Sequence, residues 1–156
     1  VMYAFDRDAL GKTGLSIPSY LDLSVHASKD SMFNTPPVFP IYVSMLTMRW
    51  MKSMGGVAAM EERNQRKANL IYQEIDRNGL FEGHATKESR STMNATFRLK
   101  DEEHAASFDV LWQDAGINGL KGHRSVGGNR ASMYNALPES SVQVLVDVMQ
   151  ELERAH

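Results

Sequence analysis

The stretch that most restricts the fold runs from Ser91 to Leu99, Ser-Thr-Met-Asn-Ala-Thr-Phe-Arg-Leu. Met93, Ala95, Phe97 and Leu99 alternate with Thr92, Asn94, Thr96 and Arg98. Successive side chains of an extended strand point to opposite faces, so this segment predicts a strand with one buried and one open face. Such a strand needs neighbours and a cover for its apolar side. Both are readable downstream. Asp101 can cap a helix over about Glu102–Ala115 that turns Ala105, Phe108, Leu111 and Trp112 inward, and Gly116 ends it. Short strands are expected near Asn118–Lys121 and Asn129–Tyr134. A last helix after Pro138 carries Val142, Leu145, Met149 and Leu152 on its inner face. The order strand, helix, two strands, helix predicts a small two-layer α/β unit with helices on one sheet face.

Upstream, Asn34-Thr35-Pro36-Pro37 precedes a helix read over Phe39–Ser53, with Ile41, Met45 and Met48 at helical spacing and Gly55-Gly56 as the stop. A second helix is read over Val57–Asn78. Val57, Met60, Asn64, Ala68, Ile71 and Ile75 form its stripe, Arg63, Arg66, Lys67 and Glu74 lie off that line, and Gly79 is the expected C-cap. The polar run Glu62–Lys67 is read as a solvated face. Residues 7–37 are expected to be mostly loop and turn. The opening Val-Met-Tyr-Ala-Phe reads as a buried strand with no evident partner strands in the next thirty residues. The expectation is therefore a C-terminal piece of a longer protein, cut within a sheet.

Bulk properties exclude some classes. A chain of 156 residues, 42% hydrophobic and 23% charged, is a normal size and composition for one domain. A net charge of −2 gives no electrostatic case for a nucleic-acid partner. No apolar run approaches the roughly 20 residues that span a bilayer, so no membrane partner is expected. The absence of cysteine excludes disulfides and thiolate metal sites and is compatible with a cytoplasmic location. His26, His84, His104 and His156 show no metal-ligand spacing, and no metal is expected. The ten methionines fall on apolar stripes as core filler. No nucleophile motif of the G-x-S-x-G kind occurs.

Two segments could carry chemistry. In Gly122-His123-Arg124-Ser125-Val126-Gly127-Gly128-Asn129-Arg130 two arginines and a histidine surround a glycine pair, and the nearest acids in sequence are Asp114 and Glu139. Guanidinium groups match carboxylates and phosphates bidentately, and glycine allows close backbone approach. An alternating strand would put Arg130, Ser132 and Tyr134 on one face and Ala131 and Met133 on the other. Two cation sets could then grip an anion at two ends. Alternatively, the arginines pair with acids distant in sequence and the glycines form a simple hairpin turn. The second segment is Asn34-Thr35, whose amide and hydroxyl at a helix start could seat a phosphate or could merely cap the helix.

Ser-Met-Phe-Asn-Thr-Pro-Pro, an aromatic-rich helix and Gly-Gly, then Gly-His-Arg-Ser-Val-Gly-Gly-Asn-Arg-Ala-Ser-Met-Tyr-Asn-Ala-Leu-Pro and a final helix, resembles in this order the C-terminal part of the phosphoserine aminotransferase family. The likeness covers essentially the whole chain. It implies an aspartate-aminotransferase-like fold of the pyridoxal-phosphate-dependent class V, fold-type I enzymes. Residues 1–36 would be a remnant of the large cofactor domain and residues 37–156 the small C-terminal domain with its leading helices. It implies a homodimer that exchanges an amino group between phosphoserine and 2-oxoglutarate, giving 3-phosphohydroxypyruvate and glutamate, in serine biosynthesis. Asn34 and Thr35 resemble the pair that holds the cofactor phosphate across the dimer. Arg130 resembles the arginine for the substrate α-carboxylate, and His123 and Arg124 the pair for the substrate phosphate, again across the interface. The family's Schiff-base lysine lies upstream of this segment, and neither Lys12 nor Lys29 matches its motif, so no catalytic residue is expected here and the fragment alone should be inactive. The alternative from another class is a stand-alone, non-catalytic anion-binding or interaction domain.

Overall fold

The alternation read from Met93 to Leu99 is realised as a strand over Asn94–Leu99 in a computed structural model that describes residues 6–12 and 14–156. In chain order the elements are α1 (Leu23–Ser28), α2 (Val38–Ser53), α3 (Gly56–Arg77), β1 (Phe81–Gly83), β2 (Asn94–Leu99), α4 (Ala105–Asp114), β3 (Asn129–Ser132) and α5 (Glu139–Ala155). Three strands form one antiparallel sheet in the order β1-β2-β3. Phe81 faces Leu99 across the first ladder, and Thr96 faces Arg130 across the second.

One face of that sheet is apolar because the register aligns the alternating residues of each strand. Phe81, Ala95, Phe97, Leu99, Ala131 and Met133 are all buried. Ile71 and Ile75 of α3, Phe108 and Trp112 of α4, and Val142, Leu145, Met149 and Leu152 of α5 complete the same core. Phe81, Phe97 and Phe108 meet edge to face, with centroids 5.0, 5.8 and 6.4 Å apart. Each such ring contributes about 1.5–3 kcal/mol by leaving water. The opposite face, with Arg98 and Arg130, is open. This is the expected two-layer α/β arrangement.

The described residues divide into two compact units, Val1–Arg49 and Trp50–His156, and α2 runs across the division. In the first unit, α1 and a 3-10 turn (Arg7–Ala9) lie within the segment read as mostly loop. Asp22 accepts from the Ser24 N–H and so caps α1, an Asx signal too short for a periodic reading. The strand expected over residues 1–5 lies outside the described residues. α2 buries none of its side chains, and Val38, Phe39, Ile41, Tyr42, Leu46 and Met48 are exposed. Among the described residues no helix is long and apolar enough to cross a membrane.

Other boundaries moved for local reasons. The segment 118–121 makes no strand; it offers a single bridge, Lys121 with Asn129, because Gly119 at φ +71° bends the chain. β1 was not foreseen, since only three residues pair and their alternation is too short to register. The helix after Asp101 begins as a 3-10 turn at Glu102–His104, with Asp101 accepting from the Glu103 N–H. Asn78, not Gly79, closes α3: its amide donates to Glu74 at 2.8 Å and its carbonyl oxygen accepts from the Leu80 N–H at 3.0 Å.

The polar residues of α3 correct the sequence reading most. Lys67 and Glu74 are buried rather than solvated, at 0% and 4% exposure. Glu74 accepts from Arg77 at 2.6 Å, Asn78 at 2.8 Å and Gln150 at 3.1 Å, which ties α3 to α5. Burial pushes its carboxyl up, but the hydrogen bonds from Arg77, Asn78 and Gln150, with the Arg77 charge, outweigh that and leave it below its ordinary value. A carboxylate with a depressed folded pKa stabilises the fold above its unfolded pKa, about 4.3, and loses that contribution as pH falls through the folded value. Glu74→Gln should therefore cost about 2 kcal/mol at pH 7. The deficit should shrink on acidification, where wild-type Glu74 is itself neutral. Urea unfolding of both proteins at pH 7 and at pH values through and below the ordinary glutamate range measures this.

Candidate functional site

The glycine-rich segment folds into a tight loop between α4 and β3. Gly122 donates its N–H to the Gly128 carbonyl at 2.8 Å, and the N–H groups of Val126 and Gly127 both reach the His123 carbonyl, at 2.9 and 2.8 Å. Gly127 and Gly128 have φ of +76° and +65°, a region that costs little only for glycine. A Cβ on Gly128 would stand 2.8 Å from the Phe97 carbonyl oxygen, and one on Gly122 would collide with the Gly127 carbonyl. The loop therefore hugs β2 and presents His123, Arg124, Ser125 and Val126 outward, all exposed.

The His123 ring is oriented by the loop itself. Its Nδ1 accepts from the Ser125 N–H at 3.3 Å and lies 2.7 Å from the Ser125 hydroxyl. An accepting Nδ1 places the proton of the neutral ring on Nε2, which is then free to donate to an anion. Arg130 projects from β3 on the open face while Asn129, Ala131 and Met133 are buried, as the alternation predicts.

Neither Arg124 nor Arg130 forms an ion pair among the described residues. Arg66, Arg77, Arg90 and Arg98 in the same unit each hold a carboxylate, from Glu139, Glu74, Asp76 and Glu82 respectively. The alternative in which the motif's arginines pair with distant acids is thus not realised among the described residues. Two clefts border the loop. One, of about 280 Å³, is lined by His84, Thr96, Arg98, His123 and Arg130. The other, of about 470 Å³, is lined by Arg98, Glu102, Asp109, Lys121, His123 and Arg124. Asp109 in the second is held by Lys121 and by Trp112 Nε1. His123 borders both clefts, so the structure brings it together with Arg130 on one side and with Arg124 on the other.

A buried cation holds the exit of β3. Lys67 donates from Nζ to the carbonyls of Met133 at 2.9 Å, Tyr134 at 2.7 Å and Leu137 at 3.2 Å. Asn64 adds a 2.8 Å hydrogen bond to Asn135. Burial, with the Arg63 charge nearby, pushes the Lys67 ammonium below the ordinary lysine range. The signal for Lys67 was available: it lies three residues after Asn64 and four before Ile71, on the buried stripe. His84 had no local signal. It enters the site through strand pairing, its N–H donating to the Thr96 carbonyl at 3.0 Å.

Asn34 and Thr35 belong to the first unit. Both are exposed, and neither side chain makes a hydrogen bond among the described residues. α2 starts at Val38, so neither residue is its cap. An amide and a hydroxyl without protein partners, just ahead of a helix whose first backbone bond runs from Ile41 N–H to the Pro37 carbonyl, form a donor set suited to phosphate.

The class-V aminotransferase family model matches residues 9–145, and the chain belongs to that family. Curated relatives that it matches include phosphoserine aminotransferases. It is 62% identical over 147 residues to the enzyme of Flavobacterium psychrophilum, covering 94% of this chain and 41% of the relative. It is 52% identical to that of Bacteroides fragilis, covering 96% and 42%. Among solved structures, a phosphoserine aminotransferase studied for radiation damage of its Schiff base superposes with a TM-score of 0.86 at 41% identity, covering 96% of this chain and 42% of the other. The PLP-bound phosphoserine aminotransferase of Trichomonas vaginalis gives 0.77 at 38% identity, covering 86% and 39%. The chain thus spans about two fifths of the length of these relatives.

The loop geometry yields a prediction. Gly122→Ala should cost about 2 kcal/mol or more, because the clash is with backbone and no flexible side chain can yield. Thermal unfolding should show a lowered Tm, with His123 and Ser125 resonances displaced in NMR spectra.

Proposed function

We propose that this chain is the C-terminal segment of a phosphoserine aminotransferase, which interconverts phosphoserine plus 2-oxoglutarate and 3-phosphohydroxypyruvate plus glutamate. The observation that carries the reading is the pair of unpartnered guanidinium groups and the oriented imidazole around one glycine loop, in a chain with class-V aminotransferase likeness over residues 9–145. Phosphoserine carries an anion at each end and supplies the counter-charges that the loop lacks.

Arg130 binds the α-carboxylate and orients the amino acid. His123, donating from Nε2, and Arg124 bind the distal phosphate. The family likeness assigns these two to the partner subunit's substrate, so the working unit is a homodimer. The exposed apolar side chains of α2 suit such an assembly. Glutamate shares the site, its side-chain carboxylate taking part of the phosphate clamp.

Asn34 and Thr35 fit the phosphate of pyridoxal phosphate, as donors without protein partners. When bound, that cofactor supplies the electron sink that transamination requires. Lys12 and Lys29 do not match the family's anchoring-lysine motif, so the anchoring lysine is assigned to the part of the relatives that this chain does not span. This segment therefore binds and orients, and is inactive by itself.

In the complete enzyme, Arg130→Ala should lower kcat/KM for phosphoserine and glutamate alike, by the roughly 1.5–3 kcal/mol of a lost charge-assisted contact. Arg124→Ala should penalise phosphoserine more than glutamate. Steady-state kinetics with both amino acids tests the two, and wild-type values for Arg130→Ala would refute the assignment. Spectroscopy tests the division of labour. Pyridoxal phosphate added to this chain alone should give no protein-bound visible band, and the band should arise when the remaining segment is supplied.

A further inference from the structure

Among the described residues, the His84 side chain is an unengaged donor on the open sheet face that carries Arg130. Gly83 pairs with Phe97, so the antiparallel ladder places His84 opposite Thr96, and Thr96 in turn stands opposite Arg130. The three residues make a single cross-strand row. All three line the cleft of about 280 Å³ that His123 also borders. The His84 ring is exposed and makes no hydrogen bond, ion pair or ring contact among the described residues. Arg98, the other cation on this face, is already held by Glu82. Neighbouring strands lie about 4.8 Å apart, so His84 and Arg130 are separated by about two strand spacings at the backbone, with only the short Thr96 side chain between them. That span, within the cleft the three residues line, leaves room for a short-chain dianion laid across the row.

We infer that His84 is a substrate-binding residue, whose imidazole N–H takes the distal anionic group of the amino acid that Arg130 holds by its α-carboxylate. The inference rests on the aminotransferase reading and extends it by adding a contact from the same subunit as Arg130. An imidazole N–H donating to a carboxylate or phosphate is a charge-assisted hydrogen bond to a solvated partner. Its loss should appear in binding and not in turnover, because the group lies away from the bond that changes.

The test uses the complete dimeric enzyme carrying His84→Ala, His84→Gln and Arg130→Ala, assayed with O-phospho-L-serine and L-glutamate. His84→Ala should raise KM for both amino acids about tenfold, the loss expected for one hydrogen bond to a charged group, while kcat and Tm hold at wild type. His84→Gln, which keeps an N–H donor, should recover most of the affinity. Wild-type KM values for both substrates in His84→Ala, beside raised values in Arg130→Ala, would overturn the inference alone. A fall in kcat with KM unchanged would overturn it too, since that pattern marks a structural role. If Arg130→Ala also leaves both KM values at wild type, the aminotransferase reading of this face fails and the role of His84 falls with it.

Discussion

The arrangement depends on a buried ammonium. Lys67 sits at 0% exposure in α3 and satisfies three backbone carbonyls where the chain leaves β3. Carbonyls turned inward at such a bend would otherwise lack donors, and each orphaned group costs about 1–3 kcal/mol. The ammonium is itself desolvated, and the three acceptors offset that cost without a carboxylate. The consequence is geometric. α3 grips the end of the strand from which Arg130 projects, so the open sheet face is set by the helix behind it. Asn64, hydrogen-bonded to Asn135 one turn earlier on α3, extends the same grip.

Electrostatics in the second unit divides into two parts. Acids that meet a cation serve the scaffold: Glu74 with Arg77, Asp76 with Arg90, Glu82 with Arg98 and Glu139 with Arg66. Most of these pairs are partly solvated and contribute little individually, although Glu74 is buried and multiply bonded. Among the described residues no acid forms an ion pair with Arg124 or Arg130 of the glycine loop, nor with Arg63 or Arg154 elsewhere in the unit. Tight backbone bonding within the loop holds His123 and Arg124 in place without a neutralising partner. The positive ends therefore remain available to a ligand anion.

Much of the architecture was legible because burial imposes a period. The alternation at Ala95, Phe97 and Leu99 and the 3.6-residue stripes at Phe108–Trp112 and Val142–Leu152 mark residues of the core, whereas Met93, on the same alternation, stays outside it. The Gly55-Gly56 stop and the Asp101 cap were equally local, and both were found where expected. β1 and α1 escaped because three or six residues carry too little periodicity. The strand expected near Asn118–Lys121 is a single bridge, since the chain bends at Gly119. Residue type alone puts Lys67 and Glu74 at the surface, although both positions lie on the buried stripe.

By itself the sequence determined the layering, the identity of the motif cations and the family likeness, because each is written in local spacing or contiguous residues. Only tertiary structure decided which cations are free and which are neutralised. An ion pair such as Arg66 with Glu139 joins residues far apart in the chain, and spacing says nothing about it. It also decided that His84 stands in line with Arg130. Strand register, a property of hydrogen bonds between segments, sets that neighbourhood.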